Sequence, residues 1–408
     1  MSPDLPSSSL PAAPDANRVD GANGATGANG GGAGSNLLPG ALTGLAALLF
    51  AFLPLFLNAF AGSSAPYWLD VVNTVGLYTI LALSLNVILG HAGMFHMGHA
   101  AFFAIGAYAT AILNLSYGWS IIATMPVAAL AAGAVALVLA WPIIHLRGDY
   151  LLIVTIGIVE IVRIALTNNI FGLTGGSNGL VGIARPSVFG FRITRPQHFF
   201  YFIWIVVGLT MLLFHWLENS RFGRALKFIK EDTVAAENMG VNTSRYKLMA
   251  FVVGAAWAGL AGTIFASRMR TISPESFVFS ESVLLFTIVI LGGKGSQKGV
   301  LLGSFLVMGL PEFFRGFEDK RLLVFGAALV VMMIFRPQGL LPSKPARYRL
   351  PDPWPGKLSG APAAEPVTAN GKRAQNGAAA TGAAGALSEP SGPQGSDPQS
   401  PGPQGPGA

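Results

Sequence analysis

Long apolar runs separated by short polar stretches set the plan of this chain. A membrane crossing needs about 20 mostly apolar residues. Runs of that kind occur at Leu37–Phe60, Trp68–Leu89, His99–Leu115, Ile121–Leu146, Tyr150–Ile170, Phe199–Leu217 and Leu248–Ala266. Shorter ones follow at Val283–Leu291, Val300–Phe314 and Leu322–Phe335. The run ending at Leu291 is short for a crossing, so it either starts earlier, near Phe277, or is a half-helix. Irregular backbone at membrane depth is tolerated only inside the protein or along a cavity. The pattern predicts an all-α fold, a polytopic transmembrane helix bundle of about ten spans.

Composition agrees with the pattern. Hydrophobic residues make up 52% of the chain and charged residues 11%, against about 25% charged in a soluble domain. The mean hydropathy is +0.54. The net charge of +7 points to cytoplasmic loops rich in Lys and Arg and not to nucleic acid. Cysteine is absent, which excludes disulfides, thiolate catalysis and Cys-based metal sites. The first 36 residues are rich in Gly, Ala and Asn, and residues 343–408 in Pro, Gly and Ala. Both read as disordered tails, leaving a membrane domain over residues 37–342.

Charge also sets orientation. Arg221, Arg224, Lys227, Lys230, Arg245 and Lys247 crowd the stretch between Leu217 and Leu248, so residues 218–247 face the cytoplasm. Counting outward from there places Arg147 inside and the Thr174–Gln197 loop outside. It places both chain ends inside.

Four motifs interrupt the apolar background. The first is "FIKEDTVAAENMGVNTSRYK", residues 228–247. Just before and within it, Phe222, Leu226 and Ile229 share a helical face, with Arg224, Lys227 and Lys230 on another, as in an amphipathic helix lying at the membrane interface. Asp232 or Thr233 can cap a second short helix, which Gly240 can end. Ala235 and Ala236 make that helix thin enough to enter a partner's groove; a solvated loop helix is the plainer alternative. The second motif is "LNVILGHAGMFHMGHAAFFAIGAY", residues 85–108. It carries Asn86 and is interrupted at Gly90, Gly93, Gly98 and Gly106; broken helices of this kind point to a transport path. His91, His96 and His99 have no acidic or thiol neighbours for a metal site, and a helix–helix hydrogen bond is the simpler role for His99.

The third motif is the pair Glu160 and Arg163 inside an apolar run. It lines a pathway or locks two helices. The fourth is "ILGGKGSQKGVLLGSFL", residues 290–306, with Gly292, Gly293, Gly295 and Ser296. Lys294 is followed by Gly295, not by Ser or Thr, and no strand precedes it, so it is no nucleotide loop. It reads as a tight break between two helices on the cytoplasmic side.

Taken together and in this order, the motifs resemble the branched-chain amino acid permease family of ABC importers. "NSRFGRALKFIKEDTVAAENMGVNTSRYKLMAFVVGAAWAGLAG" is similar to the cytoplasmic coupling segment of such permeases. Where importers carry E-A-A, three residues and Gly, this chain has Val234-Ala235-Ala236 and Gly240, so Val234 replaces the glutamate. Leu85-Asn86, Gly90, Gly93, the run Gly98–Phe102 and Gly106-Ala107-Tyr108 also match the family pattern. Met94 and His96 depart from its frequent Gln and Ser. "LTGGSNGL" (Leu173–Leu180) and "FRPQGLLP" (Phe335–Pro342) are family-like too, and the resemblance runs from Leu69 to Pro342. It implies a multi-pass permease subunit in a bacterial inner membrane, importing branched-chain or related amino acids, with no cofactor and no catalytic residue. It implies two cytosolic ATP-binding subunits, a second homologous permease subunit and a periplasmic substrate-binding protein as partners. It implies that Thr233, Val234, Ala235, Ala236, Glu237 and Gly240 meet the ATPase. Three rivals stand beside it: an importer of urea or short-chain amides, an ion-coupled secondary carrier, and a membrane enzyme. A carrier favours midplane carboxylates, of which only Glu160 is clear in the sequence, and nothing paired supports an enzyme.

Overall fold

A computed structural model describes residue 50, residues 52–60, 62–146, 148–169, 172–188 and 190–313, and short pieces between 326 and 342. The expectations for both tails, for Arg147 and for most of the last apolar run lie outside the described residues.

The helices, in chain order, begin with α1 (Leu53–Phe60) and α2 (Ala65–Asn86), which runs on through a π-helical turn, Val87–His91. Next come α3 (His99–Tyr117), α4 (Ile121–Ile143), α5 (Asp149–Thr167) and α6 (Pro196–Asn219). Two short helices, α7 (Arg221–Glu231) and α8 (Thr233–Asn238), precede the long α9 (Thr243–Met269). A 3-10 turn at Pro274–Phe277 leads into α10 (Phe279–Gly292), followed by α11 (Gln297–Ser304) with a second π-helical turn, Phe305–Gly309, and α12 (Leu310–Phe313). Seven helical stretches among the described residues are long and apolar enough to cross a membrane. The run ending at Leu291 resolves into the 3-10 turn plus α10, so the stretch that counts as a span is Pro274–Gly292. The break falls at Val278, whose backbone is extended at φ −77° and ψ 164° between the turn and α10.

The all-α expectation needs one small correction. The loop between α5 and α6 contains three two-residue strands, β1 (Leu180–Val181), β2 (Ser187–Val188) and β3 (Phe191–Arg192). β2 and β3 form an antiparallel hairpin, while β1 pairs antiparallel with β4 (Thr271–Ile272), just past the end of α9. The pairing gives the loop backbone partners that its Gly-rich sequence cannot supply by helix formation.

Helix α9 is the centre of the bundle, packed on α4 and α3 on one side and on α2 on another. α2 in turn carries α6, α10 and α11. Without a hydrophobic force between helices in lipid, close approach of small residues drives this packing. A Cβ at Gly106 of α3 would fall on the backbone oxygen and Cα of Gly259 in α9. A Cβ at Gly259 would stand 2.5 Å from the Ala132 side chain and 2.7 Å from the Ala128 carbonyl oxygen of α4. Three helices thus cross at near-backbone contact. On the outside of the bundle, Ile153, Ile161 and Ile164 of α5 and Ile205 and Leu209 of α6 are exposed, as suits helices facing acyl chains or another membrane subunit.

Successive helices reverse direction, so the chain sorts its polar groups to two ends. One end holds α7, α8 and Lys294. The other holds the strand pairs and the turn before α10. Near that second end, Arg268 binds the Asp70 carboxylate at 2.7 Å and Thr74 at 2.9 Å, tying α9 to α2.

Candidate functional site

The site begins where α2 stops being an α-helix. Its amide ladder lengthens, with Ala92 N–H donating to the Val87 carbonyl at 3.2 Å and Met94 N–H to Ile88 at 3.1 Å. Such π-helical turns are rare and recur at functional positions. The chain then runs in irregular form to Gly98, with Gly93 at φ +71°, a conformation that costs glycine least. This segment is held from several sides. Met97 N–H donates to Thr155 Oγ1 of α5 at 3.2 Å, and Ala100 N–H to Ser282 Oγ of α10 at 3.0 Å. His99 Nε2 meets Ser84 Oγ of α2 at 2.7 Å, a hydrogen bond between helices. His96 is wholly buried, its ring 4.8 Å from that of Phe251. Among the described residues no three ligating side chains gather around a metal position.

The second break, at the end of α10, touches the first. The Asn86 side chain accepts a hydrogen bond from Gly295 N–H at 2.8 Å. Gly90 is so close to this loop that a Cβ there would stand 2.5 Å from the Gly295 nitrogen. Gly293 turns the chain at φ +117°, and Ser296 caps α11 by accepting from Gly299 N–H at 3.1 Å. Gly292 and Gly299 meet backbone to backbone. Leu340 and Leu341 reach the same place, Leu340 N–H donating to the Leu291 carbonyl at 2.8 Å and Leu341 N–H to that of Gly292 at 3.0 Å. The Lys294 ammonium lies 5.1 Å from the centre of the Phe95 ring. The two glycine motifs, about 200 residues apart in sequence, thus form one structural unit.

The segment of residues 218–247 rests on that unit, Lys230 bonding Gly90. Ser220 caps α7 and Asp232 caps α8, its carboxylate accepting from Val234 N–H at 2.8 Å and Ala235 N–H at 3.0 Å. Gly240 ends the second helix at φ +81°. Thr243 Oγ1 donates to Glu237 at 2.6 Å, fixing α8 to the start of α9. Ala236 is fully buried, whereas Val234 and Met239 are 55% and 76% exposed. One face of α8 is therefore seated on the protein and the other displayed.

α7 is amphipathic, and the protein covers much of its apolar face. Leu226 and Ile229 are buried against the protein, and Phe222 stacks on Tyr246 with ring centres 5.8 Å apart. Leu226 and Ile229 of the apolar face pack on the protein, and Phe222 stays half-buried beside them. The basic face is also partly engaged. Lys227 binds Glu218 at 2.8 Å, and Glu218 stands 3.7 Å from His91. Lys230 Nζ donates to the Gly90 carbonyl at 2.7 Å. Partial burial, with the nearby Lys294 charge adding to it, holds the Lys230 ammonium below the usual lysine range. A cavity of about 150 Å³, lined by Gly93, Met94, Phe95, Lys230, Thr233 and Lys247 among others, lies between α7–α8 and the first break.

The structure does not bring Glu160 and Arg163 to this unit. They pair with each other at 2.9 Å on α5, and Arg163 reaches Glu275 in the turn before α10 at 3.3 Å. Sequence reading missed Glu281, whose carboxylate accepts from Tyr78 Oη at 2.6 Å. It also missed the inward reach of Lys230. Neither residue has a local sequence signal, because each partner is more than 100 positions away.

A bundle of membrane-length helices, two of them broken beside each other and the first break met at one end by the helix that carries Lys230, is the architecture of a membrane permease. The chain belongs to the family described as the permease component of the branched-chain amino acid transport system, whose profile matches residues 67–335. The high-affinity branched-chain amino acid transport system permease protein LivM of Escherichia coli (strain K12) is 40% identical over 304 residues, 69% of this chain and 71% of that one. The corresponding LivH protein of the same organism is 30% identical over 290 residues, 65% of this chain and 91% of its own. The probable LivM of Methanocaldococcus jannaschii is 27% identical over 321 residues, 66% of this chain and 92% of its own. No solved structure matches the chain.

Proposed function

We propose that this chain is the membrane-spanning permease subunit of a bacterial ABC importer for branched-chain amino acids, residing in the inner membrane. The single observation that carries the reading is the family match over residues 67–335. The relatives named above as branched-chain amino acid permeases supply the solute. In this reading the chain has about ten spans, and its basic end, with α7, α8 and Lys294, faces the cytoplasm. Two ATP-binding subunits engage that end, a second homologous permease completes the pathway, and a periplasmic binding protein delivers substrate at the other.

The geometry supports a mechanism of this kind. The two breaks, at Gly90–Gly98 and Gly292–Ser296, are places where the helices lack continuous backbone ladders. Elements of that kind reorganise at lower cost than regular helix. α8, through Thr233, Val234, Ala235, Ala236, Glu237 and Gly240, is the contact with the energy source. ATP binding by the partners moves α8, and the breaks open and close the inner mouth in turn.

Expressed with its partner subunits in cells lacking their own branched-chain amino acid uptake, the chain is expected to restore accumulation of labelled leucine. Excess unlabelled isoleucine and valine compete, and urea does not. Accumulation blocked by urea, or none in cells holding the whole assembled complex, would turn the assignment toward another solute.

A further inference from the structure

We infer that Lys230 is the strut through which movement of the coupling helix enters the membrane bundle. Three observations meet at this residue. The first is its bond to Gly90. The Gly90 carbonyl sits at the end of α2, where the following amides of Ala92 and Met94 bond back to Val87 and Ile88. Nothing in the helix ladder takes it up, and the Lys230 ammonium does so at 2.7 Å. A cation against the last carbonyls of a helix is favourable, and an ionised donor makes the stronger kind of hydrogen bond.

The second observation is the place of Lys230 on α7. Two positions later Asp232 closes α7 and caps α8 in one residue, its backbone N–H bonded to Phe228 and its carboxylate to Val234 and Ala235. A shift of α8 therefore shifts Lys230. The third is the room made for its stem. Gly93 carries no side chain, and a Cβ there would come within 3.0 Å of Lys230 Cγ. Any larger residue at 93 pushes the stem aside.

Beyond Gly90 the connection continues. The Asn86 side chain, one turn back, holds Gly295 N–H in the second break. The ammonium thus holds the first broken helix one turn away from the side chain that holds the second. Glu218, bonded to Lys227 and close to His91, steadies the neighbouring turn of α7 on the same break. Contiguity alone does not prove coupling, so the claim is functional. Lys230 is a positioning residue whose loss separates ATP hydrolysis from transport. This inference rests on the reading that α8 docks on an ATPase.

The test uses the complete complex, with partner subunits and binding protein, in proteoliposomes. Leucine uptake and ATP hydrolysis are measured side by side for the parent, Lys230→Met and Lys230→Arg. Lys230→Met keeps the stem and removes the donor. It is expected to assemble and to hydrolyse ATP within about twofold of the parent, while uptake falls about tenfold, the size of effect for a lost hydrogen bond to a charged group. Lys230→Arg, still a cationic donor, restores most of the uptake. If Lys230→Met does not assemble, Lys230→Gln, whose shorter amide stops short of Gly90, carries the same expectation. Parent-level uptake in an assembled variant lacking the donor overturns the proposal. So does a proportional fall of uptake and hydrolysis, which marks a merely structural role. Val234→Arg is run beside them. A dead Val234→Arg with a fully active Lys230→Met removes the strut and keeps the docking reading, whereas two fully active variants remove the docking reading itself.

Discussion

Replacing Gly106 with alanine is expected to strip the protein from the membrane fraction. At this position α3 and α9 touch backbone to backbone, and the added Cβ falls on the Gly259 oxygen and Cα. Neither is the movable end of a side chain. The helices must part, and α4 parts with them, because Gly259 is itself seated against Ala128 and Ala132. Overpacking in a well-filled interior typically costs about 1–3 kcal/mol, and a clash with main chain lies at or beyond the upper end of that range. Against a total stability of roughly 5–15 kcal/mol, that loss is large enough to lower the steady-state amount several-fold. The comparison is Gly157→Ala in α5, where an added Cβ meets nothing within 4 Å. Immunoblots of membranes and the thermal unfolding of detergent-purified protein are expected to show Gly157→Ala at the parent's level and Gly106→Ala far below it. Equal levels of the two would mean that α3 and α9 do not cross as described.

Val234→Arg is expected to abolish transport without disturbing the fold. Val234 is 55% exposed on the outer face of α8. A surface substitution of that kind changes stability by about 0.5 kcal/mol or less. If α8 enters a groove on an ATPase, a guanidinium in place of a valine is buried without a partner, which costs several kcal/mol at an interface. Leucine uptake is expected to drop more than about a hundredfold, with the variant's amount and melting temperature unchanged. The pairing of a large functional loss with no stability loss separates docking from folding. A variant that transports at half the parent rate or better removes α8 from the docking role.

How much of this was legible in the sequence varied with the range of the interaction. Helix positions were readable because a crossing needs a minimum length of apolar residues, and α2 through α6 and α9 appear close to where the runs place them. The caps of α8 were readable for a local reason: Asp232 and Gly240 act on amides within a few residues of themselves. The join of the two glycine motifs was not, since the bond between Asn86 and Gly295 spans 209 positions and either motif alone looks like a plain break. Lys230 shows the same limit more sharply. In the sequence it is one of six basic residues that set orientation, and only the fold shows its ammonium turned to the Gly90 carbonyl. The apolar face of α7 was legible only in part, because periodicity reveals an amphipathic helix without saying whether lipid or protein covers it. Leu226 and Ile229 turned out to be covered by protein.

The central claim is that α8 is where a cytosolic ATPase engages this permease. The absence of cysteine from the whole chain makes one measurement direct, because any introduced thiol is unique in this subunit. Met239→Cys places it at the exposed C-terminal end of α8, at a position that is 76% exposed, and Val181→Cys places it in β1 at the opposite end, 70% exposed. With the complete complex in membranes, a short thiol-to-amine cross-linker is expected to join the Met239→Cys chain to the ATP-binding subunit and the Val181→Cys chain not at all. No adduct from Met239→Cys, or the same adduct from both positions, would contradict the account.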